Sequence, residues 1–211
     1  VDENYMNTLH LLDLAQSNGA NVINNPSAVK KFNEKIFALY FTKYIPSTLI
    51  SSKVSELKAF AKDFSEIVIK PLNGMGGESI YKLSEIGSDE ESIIQELTNE
   101  GKTSIVGQEF LPEIYDGDFR ILIINGKPFN KTLARIPQGE SFKGNLAAGG
   151  KGVAQDLQPH QEEVANEIGT VLMKYGIIFA GLDMIGSKVT EINVTSPTCA
   201  SQIFDQTGED P

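Results

Sequence analysis

Two acids and one amide stand close together near the C-terminal end of the chain. Asp183, Glu191 and Asn193 flank the polar stretch Gly186-Ser-Lys188. A hairpin with this three-residue turn pairs Asp183 with Glu191 and Gly181 with Asn193 on one face. Carboxylates directly opposite each other repel unless a cation lies between them, and Mg²⁺ takes such oxygen ligands. The segment predicts either a magnesium site or a solvated acidic face without a ligand.

The neighbouring residues of the hairpin favour the odd register. With the three-residue turn, Ile185 pairs with Val189 on the face of the acids. The second face then holds Leu182 opposite Ile192 and Met184 opposite Thr190, and it becomes mostly apolar. A two-residue turn would place Asp183 opposite Thr190 and would split acids and hydrophobic residues between the faces. We therefore predict a three-residue turn.

A glycine-rich loop follows the β-branched run 67–71. Lys70 precedes Asn73-Gly-Met-Gly-Gly77, where three glycines let backbone N–H groups approach an anion. The spacing differs from dinucleotide and Walker A fingerprints, which open helices. Gly101-Lys-Thr103 is no Walker A loop either, because Glu96 stands where glycine is needed. The loop predicts a phosphate cradle or a plain flexible turn.

Two arginines lie on strands joined by the hairpin signal Asn125-Gly126. A two-residue turn pairs Ile124 with Lys127, which places Arg120 opposite Lys131. Arg135 then shares a face with Arg120 at a distance along the ribbon. Both could reach one extended anion, or both could be ordinary surface arginines.

Two further segments suit a nucleotide. Glu109-Phe-Leu111 at a predicted strand end could hold an adenine through backbone groups. Residues 136–151 are rich in Gly and Ala and show no periodicity, so we predict a long loop that could act as a lid.

Composition excludes several classes of function. The 211 residues carry a net charge of −10, which argues against nucleic-acid binding and a basic membrane anchor. No apolar run is long enough for a membrane span, and a cytoplasmic protein is expected. Cys199 is the only cysteine, so no intrachain disulfide forms. As a nucleophile it would need a histidine, but His10 and His160 are predicted on helix surfaces, so a small buried residue is favoured.

Strands that neighbour each other in hairpins, with helices at irregular intervals, favour an α+β fold with antiparallel sheets. Proline, asparagine and glycine mark the ends of the elements. We expect Ser52 to cap one helix, and Phe32, Ile36, Leu39 and Tyr40 to line one side of another. The predicted helices are 3–17, one from 26 to beyond 40, 52–62, 89–99 and 159–174, and the predicted strands are 22–23, 47–50, 67–71, 79–83, 103–110, 119–124 and 127–135, followed by the acidic hairpin.

Four motifs carry a family resemblance. They are Lys-Pro-Leu-Asn-Gly-Met-Gly-Gly (70–77), Ala-Arg-Ile-Pro-Gln-Gly (134–139), Gly-Asn-Leu-Ala-Ala-Gly-Gly (144–150), and Gly-Leu-Asp-Met-Ile-Gly with Thr-Glu-Ile-Asn-Val-Thr-Ser-Pro-Thr (181–198). The chain thereby resembles bacterial glutathione synthetases of the ATP-grasp superfamily. The resemblance implies two α+β subdomains that hold ATP between largely antiparallel sheets.

The resemblance also implies boundaries. Residues 1–25 would be the end of an N-terminal domain, 26–111 the small subdomain with the glycine-rich loop, and 112–211 the large subdomain with the lid and the metal hairpin. The chain would be a fragment that lacks the N-terminal domain and a closing C-terminal helix.

The activity implied is ligation of γ-glutamylcysteine to glycine with ATP, through an acyl phosphate, in a homo-oligomeric enzyme. A related ligase with another acid and amine, or a non-catalytic ATP-binding module, is the alternative. Mg²⁺, with Mn²⁺ as a substitute, would be the metal. The residues implied are Lys35, Lys70, Gly74, Gly76 and Gly77 for ATP phosphates, Glu109 and Leu111 for adenine, Asp183, Glu191 and Asn193 for the metal, Arg120 and Arg135 for catalysis and substrate, and Ser196 and Thr198 for substrate.

Overall fold

The computed structural model describes residues 3–74 and 76–211, which form two compact units. The smaller unit is Ile45–Pro112, and the larger one combines residues 3–44 with Glu113–Pro211. Each unit has an antiparallel sheet with helices packed on it, which confirms the predicted α+β fold. Met75 of the glycine-rich loop lies outside the described residues.

Over the described residues, the helices are α1 (Glu3–Ser17), α2 (Pro26–Lys31), α3 (Glu34–Ala38), α4 (Val54–Ala61), α5 (Ser88–Leu97), α6 (Pro159–Lys174) and α7 (Ala200–Thr207). The strands are β1 (Thr48–Ser51), β2 (Ile67–Pro71), β3 (Tyr81–Leu83), β4 (Ile105–Glu109), β5 (Asp118–Ile124), β6 (Lys127–Ile136), β7 (Lys151–Asp156), β8 (Phe179–Ile185) and β9 (Lys188–Asn193). In this part of the chain, no helix is long and apolar enough to cross a membrane.

The smaller unit is a four-stranded sheet in the order β1-β4-β2-β3. Its core is formed by β-branched and leucine side chains from β2, β3, β4, α4 and α5, namely Leu57, Ile67, Ile69, Leu83, Ile94 and Ile105. The glycine-rich loop connects β2 to β3, as predicted, and β4 ends at Glu109.

The larger unit is a five-stranded sheet in the order β7-β6-β5-β8-β9. Helix α6 packs against β5 and β6, α7 against β6 and β7, and α3 against β9. Leu122 of β5 and Leu133 of β6 form a buried cluster with Cys199 and Ile203. The burial of Cys199 agrees with its predicted role as a small core residue.

The helix predicted from residue 26 onward is wrong in its continuity and in its inward face. The backbone is extended at Phe32, and the Asn33 side chain accepts hydrogen bonds from the backbone N–H groups of Lys35 and Ile36, so a second helix begins there. A capping asparagine competes with helix continuation because its side chain replaces the missing backbone acceptor. Phe37 is buried in place of Ile36 and Tyr40, which are exposed.

Other elements also differ from the sequence prediction. Residues 22–23 form no strand, and α4 starts after Lys53 without a side-chain cap, so Ser52 does not cap it. The strand β7 and the helix α7 were not predicted. Residues 26–44 lie with the larger sheet, whereas the division into subdomains 26–111 and 112–211 stays a prediction.

Candidate functional site

The β8–β9 hairpin places the predicted metal ligands on one face. Asp183 pairs with Glu191, and Gly181 pairs with Asn193, as the sequence predicts. Directly paired residues point to the same side of a sheet. The three acid and amide side chains therefore lie in two adjacent rows of the sheet.

The turn of this hairpin corrects the sequence prediction. Met184 pairs with Val189 and Ile185 with Lys188, so the turn has two residues, Gly186 and Ser187. The register shifts between Asp183 and Met184, which leaves Thr190 as an extra residue on β9. Such a bulge sets two residues against one. It restores the register of the acids, which a two-residue turn alone would have destroyed.

Asp183 is enclosed by two arginines. Arg120 lies directly opposite it on β5 and binds both of its oxygens, through Nε and, at 2.9 Å, through Nη2. Nη2 of Arg135 lies 3.0 Å from Asp183 Oδ2. Burial opposes the charge of the Asp183 carboxyl, but the two guanidinium groups outweigh this effect and lower its pKa to about 2. The carboxylate is therefore ionised at neutral pH.

Arg135 reaches the site because of a second register shift. Ile124 pairs with Lys127 as predicted, but the β5–β6 register then shifts by two residues between Ile123 and Ile121. Arg120 consequently faces Leu133 and not Lys131, which corrects the prediction. The shift of two residues keeps the faces and brings Arg135 opposite Asp118, one row away from Arg120.

Asp118 is the acid that holds Arg135. Its Oδ2 lies 2.6 Å from Nη2 of Arg135, and its backbone oxygen accepts a hydrogen bond of 3.2 Å from Nε of the same arginine. Burial raises the pKa of Asp118 to about 6, against the opposing effect of Arg135. Among the described residues, Oδ1 of Asp118 has no hydrogen-bond partner. One carboxylate oxygen therefore stays available on the site face.

Lys35 of α3 approaches the hairpin from the side of β9. Its ammonium group lies 3.5 Å from Glu191 and binds Glu34 on its other side. Burial disfavours the charged lysine, but Glu191 and Glu34 raise the pKa of Lys35 above its usual value. Burial and the nearby Glu191 raise the pKa of Glu34. Packing of α3 on β9 thus places a permanently charged cation beside a proposed metal ligand.

The donor chemistry of this face fits Mg²⁺. Asp183 and Glu191 supply carboxylates, and Asn193 adds an amide whose Nδ2 donates a hydrogen bond of 3.2 Å to Asp183. Two carboxylates plus ligands from a substrate are typical of magnesium. In the described part of the chain, no group of three or more His, Cys, Asp and Glu residues could hold a metal, so the candidate site needs the amide and a phosphate ligand.

The segment after β9 passes over Arg120. A side chain on Gly181 would come within 2.9 Å of Arg120 Cδ and 3.0 Å of Pro197 Cβ, so glycine allows this close approach. Thr198 accepts a hydrogen bond of 3.3 Å from Nη1 of Arg120. Ser196, also predicted to contact substrate, is exposed. The predicted substrate residues thus follow the β8–β9 hairpin directly.

The predicted lid is anchored at its C-terminal half. A side chain on Gly144 would lie 2.4 Å from the carbonyl oxygen of Arg135, and one on Gly150 would lie 2.0 Å from the carbonyl oxygen of Gly144. Leu146 packs against the cluster of Leu122, Leu133, Cys199 and Ile203. Glycine backbones therefore fasten residues 144–150 next to the arginines, while 138–140 are exposed.

The remaining predicted residues belong to the smaller unit. Lys70 is buried in β2, and Gly76 and Gly77 have φ angles of +68° and +85°, which favour glycine. A side chain on Gly74 would come within 2.6 Å of Pro71 Cγ. Leu111 follows the end of β4. The Glu109 carboxylate accepts a hydrogen bond of 3.3 Å from the backbone N–H of Ser47.

Sequence reasoning missed Asp118 and Glu34. Asp118 stands two residues before Arg120, a spacing that puts both side chains on one face of a strand. That signal was present in the sequence. Glu34 precedes Lys35, and adjacent helix residues do not face each other, so its approach to Lys35 and Glu191 had no sequence signal.

Comparison with known proteins adds the family. Residues 34–208 match the model of the prokaryotic glutathione synthetase ATP-grasp domain. The chain belongs to this family. A glutathione synthetase of Pseudomonas aeruginosa is 46% identical over 202 residues, which cover 96% of this chain and 64% of that protein. One of Neisseria meningitidis is 44% identical over 209 residues, covering 99% of this chain and 66% of the relative.

This member of the glutathione synthetase ATP-grasp family spans about two thirds of the length of those relatives. Solved structures support the fold. The ATP-grasp ligase PsnB, in a complex with a minimal precursor, Mg and ADP, superposes with a TM-score of 0.66 at 18% identity, covering 93% of this chain and 60% of that one. For the D-cycloserine synthetase DcsG the TM-score is 0.66 at 14% identity, with 92% and 71% covered. The predicted ATP-grasp fold is confirmed.

Proposed function

We propose that this chain is the phosphoryl-transferring part of a ligase that joins γ-glutamylcysteine to glycine and converts ATP to ADP and phosphate. The proposal rests on the ion pairs that Arg120 and Arg135 form with Asp183. The same face of the sheet also bears Glu191 and Asn193. The names of the relatives, glutathione synthetases, support the choice of substrates.

Asp183, Glu191 and Asn193 would hold Mg²⁺, for which Mn²⁺ would substitute. When bound, the metal would supply positive charge to the phosphate oxygens of ATP. Lys35 stands beside Glu191 and would add a cation at the same phosphates. Four carboxylates and three cations leave one negative charge among Glu34, Lys35, Asp118, Arg120, Arg135, Asp183 and Glu191 when all are ionised, so the site has little excess charge of its own.

Arg120 and Arg135 would stabilise the transferred phosphoryl group. Guanidinium groups match phosphate oxygens with paired N–H donors. The two arginines are buried and already oriented by Asp183 and Asp118. Preorganised donors lower the barrier because little reorganisation is needed during the reaction.

The first step would be attack of a γ-glutamylcysteine carboxylate oxygen on the γ-phosphorus of ATP. The bond from that phosphorus to the bridging oxygen breaks, ADP leaves and an acyl phosphate forms. In the second step the glycine nitrogen attacks the acyl carbon, the carbon–oxygen bond to phosphate breaks, and the amine loses a proton. The loop fastened by Gly144 and Gly150 would shield the acyl phosphate from water.

In the smaller unit, Lys70 and the glycines Gly74, Gly76 and Gly77 are proposed to bind ATP phosphates. Glu109 and Leu111 are proposed to hold adenine through backbone groups. Ser196 and Thr198 are proposed to contact γ-glutamylcysteine. We also propose that the enzyme is a homo-oligomer. The net charge of −10 supports the proposal that it has no nucleic-acid partner.

The test is ADP release by the full-length polypeptide that contains this chain. We expect release that requires both γ-glutamylcysteine and glycine, and a loss of at least about a hundredfold in kcat for Arg120→Lys, which cannot bind phosphate through a planar fork. Lys131→Ala is the matched control, because this residue pairs with exposed Asp156 and Glu209 away from the site.

Release with a different acid and amine, but none with this pair, would replace the substrates and keep the ligase chemistry. Magnesium-dependent ATP binding without release in the presence of any acceptor would instead indicate a non-catalytic module.

A further inference from the structure

The side chain of Asn24 links the start of β8 to the segment that follows β9, at the end of the hairpin opposite its turn. Its Nδ2 donates hydrogen bonds of 2.7 Å to the carbonyl oxygens of Phe179 and Val194. Its Oδ1 accepts hydrogen bonds of 2.8 Å from the backbone N–H groups of Ile178 and Phe179. These four bonds use both donors and both lone pairs of the amide. Asn24 also precedes the family match, which begins at residue 34.

These bonds take the place of a strand ladder. Strand β8 begins at Phe179 and β9 ends at Asn193, with Gly181 and Asn193 as the last described pair at this end. A continued ladder would pair Phe179 with Thr195. The Asn24 amide bonds to backbone groups on both sides, so the Val194 carbonyl keeps a hydrogen bond where the chain leaves the sheet.

The point where the chain leaves the sheet carries functional residues on both sides. Asn193 precedes Val194 immediately, and its amide lies 3.2 Å from Asp183. Beyond Val194 the segment turns over Gly181 and brings Thr198 to Arg120. A shift of the Val194 carbonyl would therefore move a proposed metal ligand and a proposed substrate residue together.

We propose that Asn24 is a positioning residue that holds Asn193 in place for Mg²⁺ and directs residues 195–198 toward Arg120. The inference rests on the proposed function, because it assigns Asn193 to the metal. Removal of hydrogen bonds that orient metal ligands typically weakens metal binding by about tenfold to a hundredfold. Asn24 acts through the backbone carbonyl next to Asn193, so we expect the lower end of this range.

The experiment uses Asn24→Ala and Asn24→Asp in the full-length polypeptide. Thermal unfolding is followed at saturating ADP while Mg²⁺ is titrated, which gives the Mg²⁺ concentration for half of the stabilisation. We expect this concentration to rise about tenfold or more in both variants. Asn24→Asp keeps the acceptor for Ile178 and Phe179 but places an oxygen against the carbonyl oxygens of Phe179 and Val194. It therefore separates the loss of the two Nδ2 bonds from the loss of the two Oδ1 bonds.

Asn25→Ala is the matched control. The neighbouring asparagine caps α2, where its Oδ1 accepts hydrogen bonds from the backbone N–H groups of Ser27 and Ala28. Its loss lowers the unfolding temperature, but its side chain makes no hydrogen bond to the hairpin in the described structure. We expect the half-saturating Mg²⁺ concentration to stay at the wild-type value.

Each outcome decides the question. Asn24 variants that lose unfolding temperature without a change in the half-saturating Mg²⁺ concentration, or that do not fold at all while Asn25→Ala folds, would show a purely stabilising residue and overturn the inference. Wild-type protein without any Mg²⁺-dependent stabilisation by ADP would overturn the proposed function and this inference with it. A shift of similar size in Asn25→Ala would also overturn the specific role of Asn24.

Discussion

Asp183 and Arg120 face each other across β8 and β5, and the carboxylate of one binds Nε and Nη2 of the other. A proposed metal ligand thus also anchors a proposed catalytic arginine. Both residues are almost fully buried, at 3% and 6% exposure, so solvent screens neither charge effectively. A substitution of Asp183 should therefore alter the orientation of the Arg120 side chain, and a substitution of Arg120 should alter the charge state of Asp183.

The substitution Asp183→Asn should destabilise the protein by about 3–5 kcal/mol, because it leaves buried guanidinium groups without their carboxylate. The pKa of Asp183 is lowered to about 2. Its stabilising contribution is therefore complete above about pH 4 and is lost as the pH falls from about 4 to about 2. Urea unfolding of both proteins between neutral pH and about pH 3 measures the difference.

The control for this comparison is Asp205→Asn, since Asp205 is exposed on α7. A difference in the free energy of unfolding that stays constant as the pH falls, or a value as small as that of Asp205→Asn, would contradict the expected role of the ion pair.

Asp118 should show the opposite dependence on pH. Its folded-state pKa is raised to about 6, so its stabilising contribution is present below about pH 4 and is lost as the pH rises through about 6. In Asp118→Asn this loss is absent. The free energy of unfolding of the variant, minus that of wild type, should therefore rise by up to about 3 kcal/mol as the pH rises from about 4 to about 7. Urea unfolding across this range is the measurement, and a flat difference would refute the assignment.

Gly181→Ala should reduce catalysis more than metal binding. The added methyl group would lie 2.9 Å from Arg120 Cδ and 3.0 Å from Pro197 Cβ, so the arginine or the following segment must shift. We expect a loss of about tenfold to a hundredfold in kcat, with little change in the Mg²⁺ dependence of ADP binding. Gly152→Ala serves as control, because its methyl group would meet only leucine side chains, at 3.2 Å or more. Equal losses in kcat for both variants would contradict the prediction.

Tyr5→Phe should weaken binding of γ-glutamylcysteine. The Tyr5 hydroxyl forms a hydrogen bond of 2.7 Å with Thr195, just before the proposed substrate residues. Loss of one such exposed bond predicts an increase of about twofold to tenfold in KM for the acid substrate, with kcat and the unfolding temperature nearly unchanged. Tyr40→Phe is the control, since Tyr40 is 68% exposed. Steady-state kinetics that show no difference between the two variants would exclude a role for Tyr5 in substrate binding.

The rows of the candidate site could be predicted because strand alternation fixes which side chains share a face. Asp183 with Glu191 and Gly181 with Asn193 followed from this rule, and the Asn125-Gly126 turn fixed the end of the β5–β6 hairpin. The register further along each ribbon could not be predicted. Two extra residues in β6 shift the pairing without changing which residues share a face, so counting from the turn placed Arg120 opposite Lys131.

Elements without a clear hydrophobic periodicity also could not be predicted from the sequence. Strand β7 has only half-buried or exposed residues, and α7 buries Ile203 alone among its eight residues. Such segments are fixed by tertiary packing and not by periodicity. The break at Asn33 is a different case, since a capping asparagine inside a helical pattern was visible, but its competition with the helix depends on the packing of Phe32 against Phe37.

The extra residue Thr190 lies between the tip of the β8–β9 hairpin and the proposed metal ligands. Because the bulge lies between the turn and the acids, the length of the tip is not what sets Asp183 opposite Glu191. A short reporter peptide inserted between Gly186 and Ser187 should leave the paired rows intact, and deletion of Thr190 should remove the bulge while Asp183 stays opposite Glu191. The hairpin tip is therefore an attachment point for labels that would follow the proposed metal binding from outside the site.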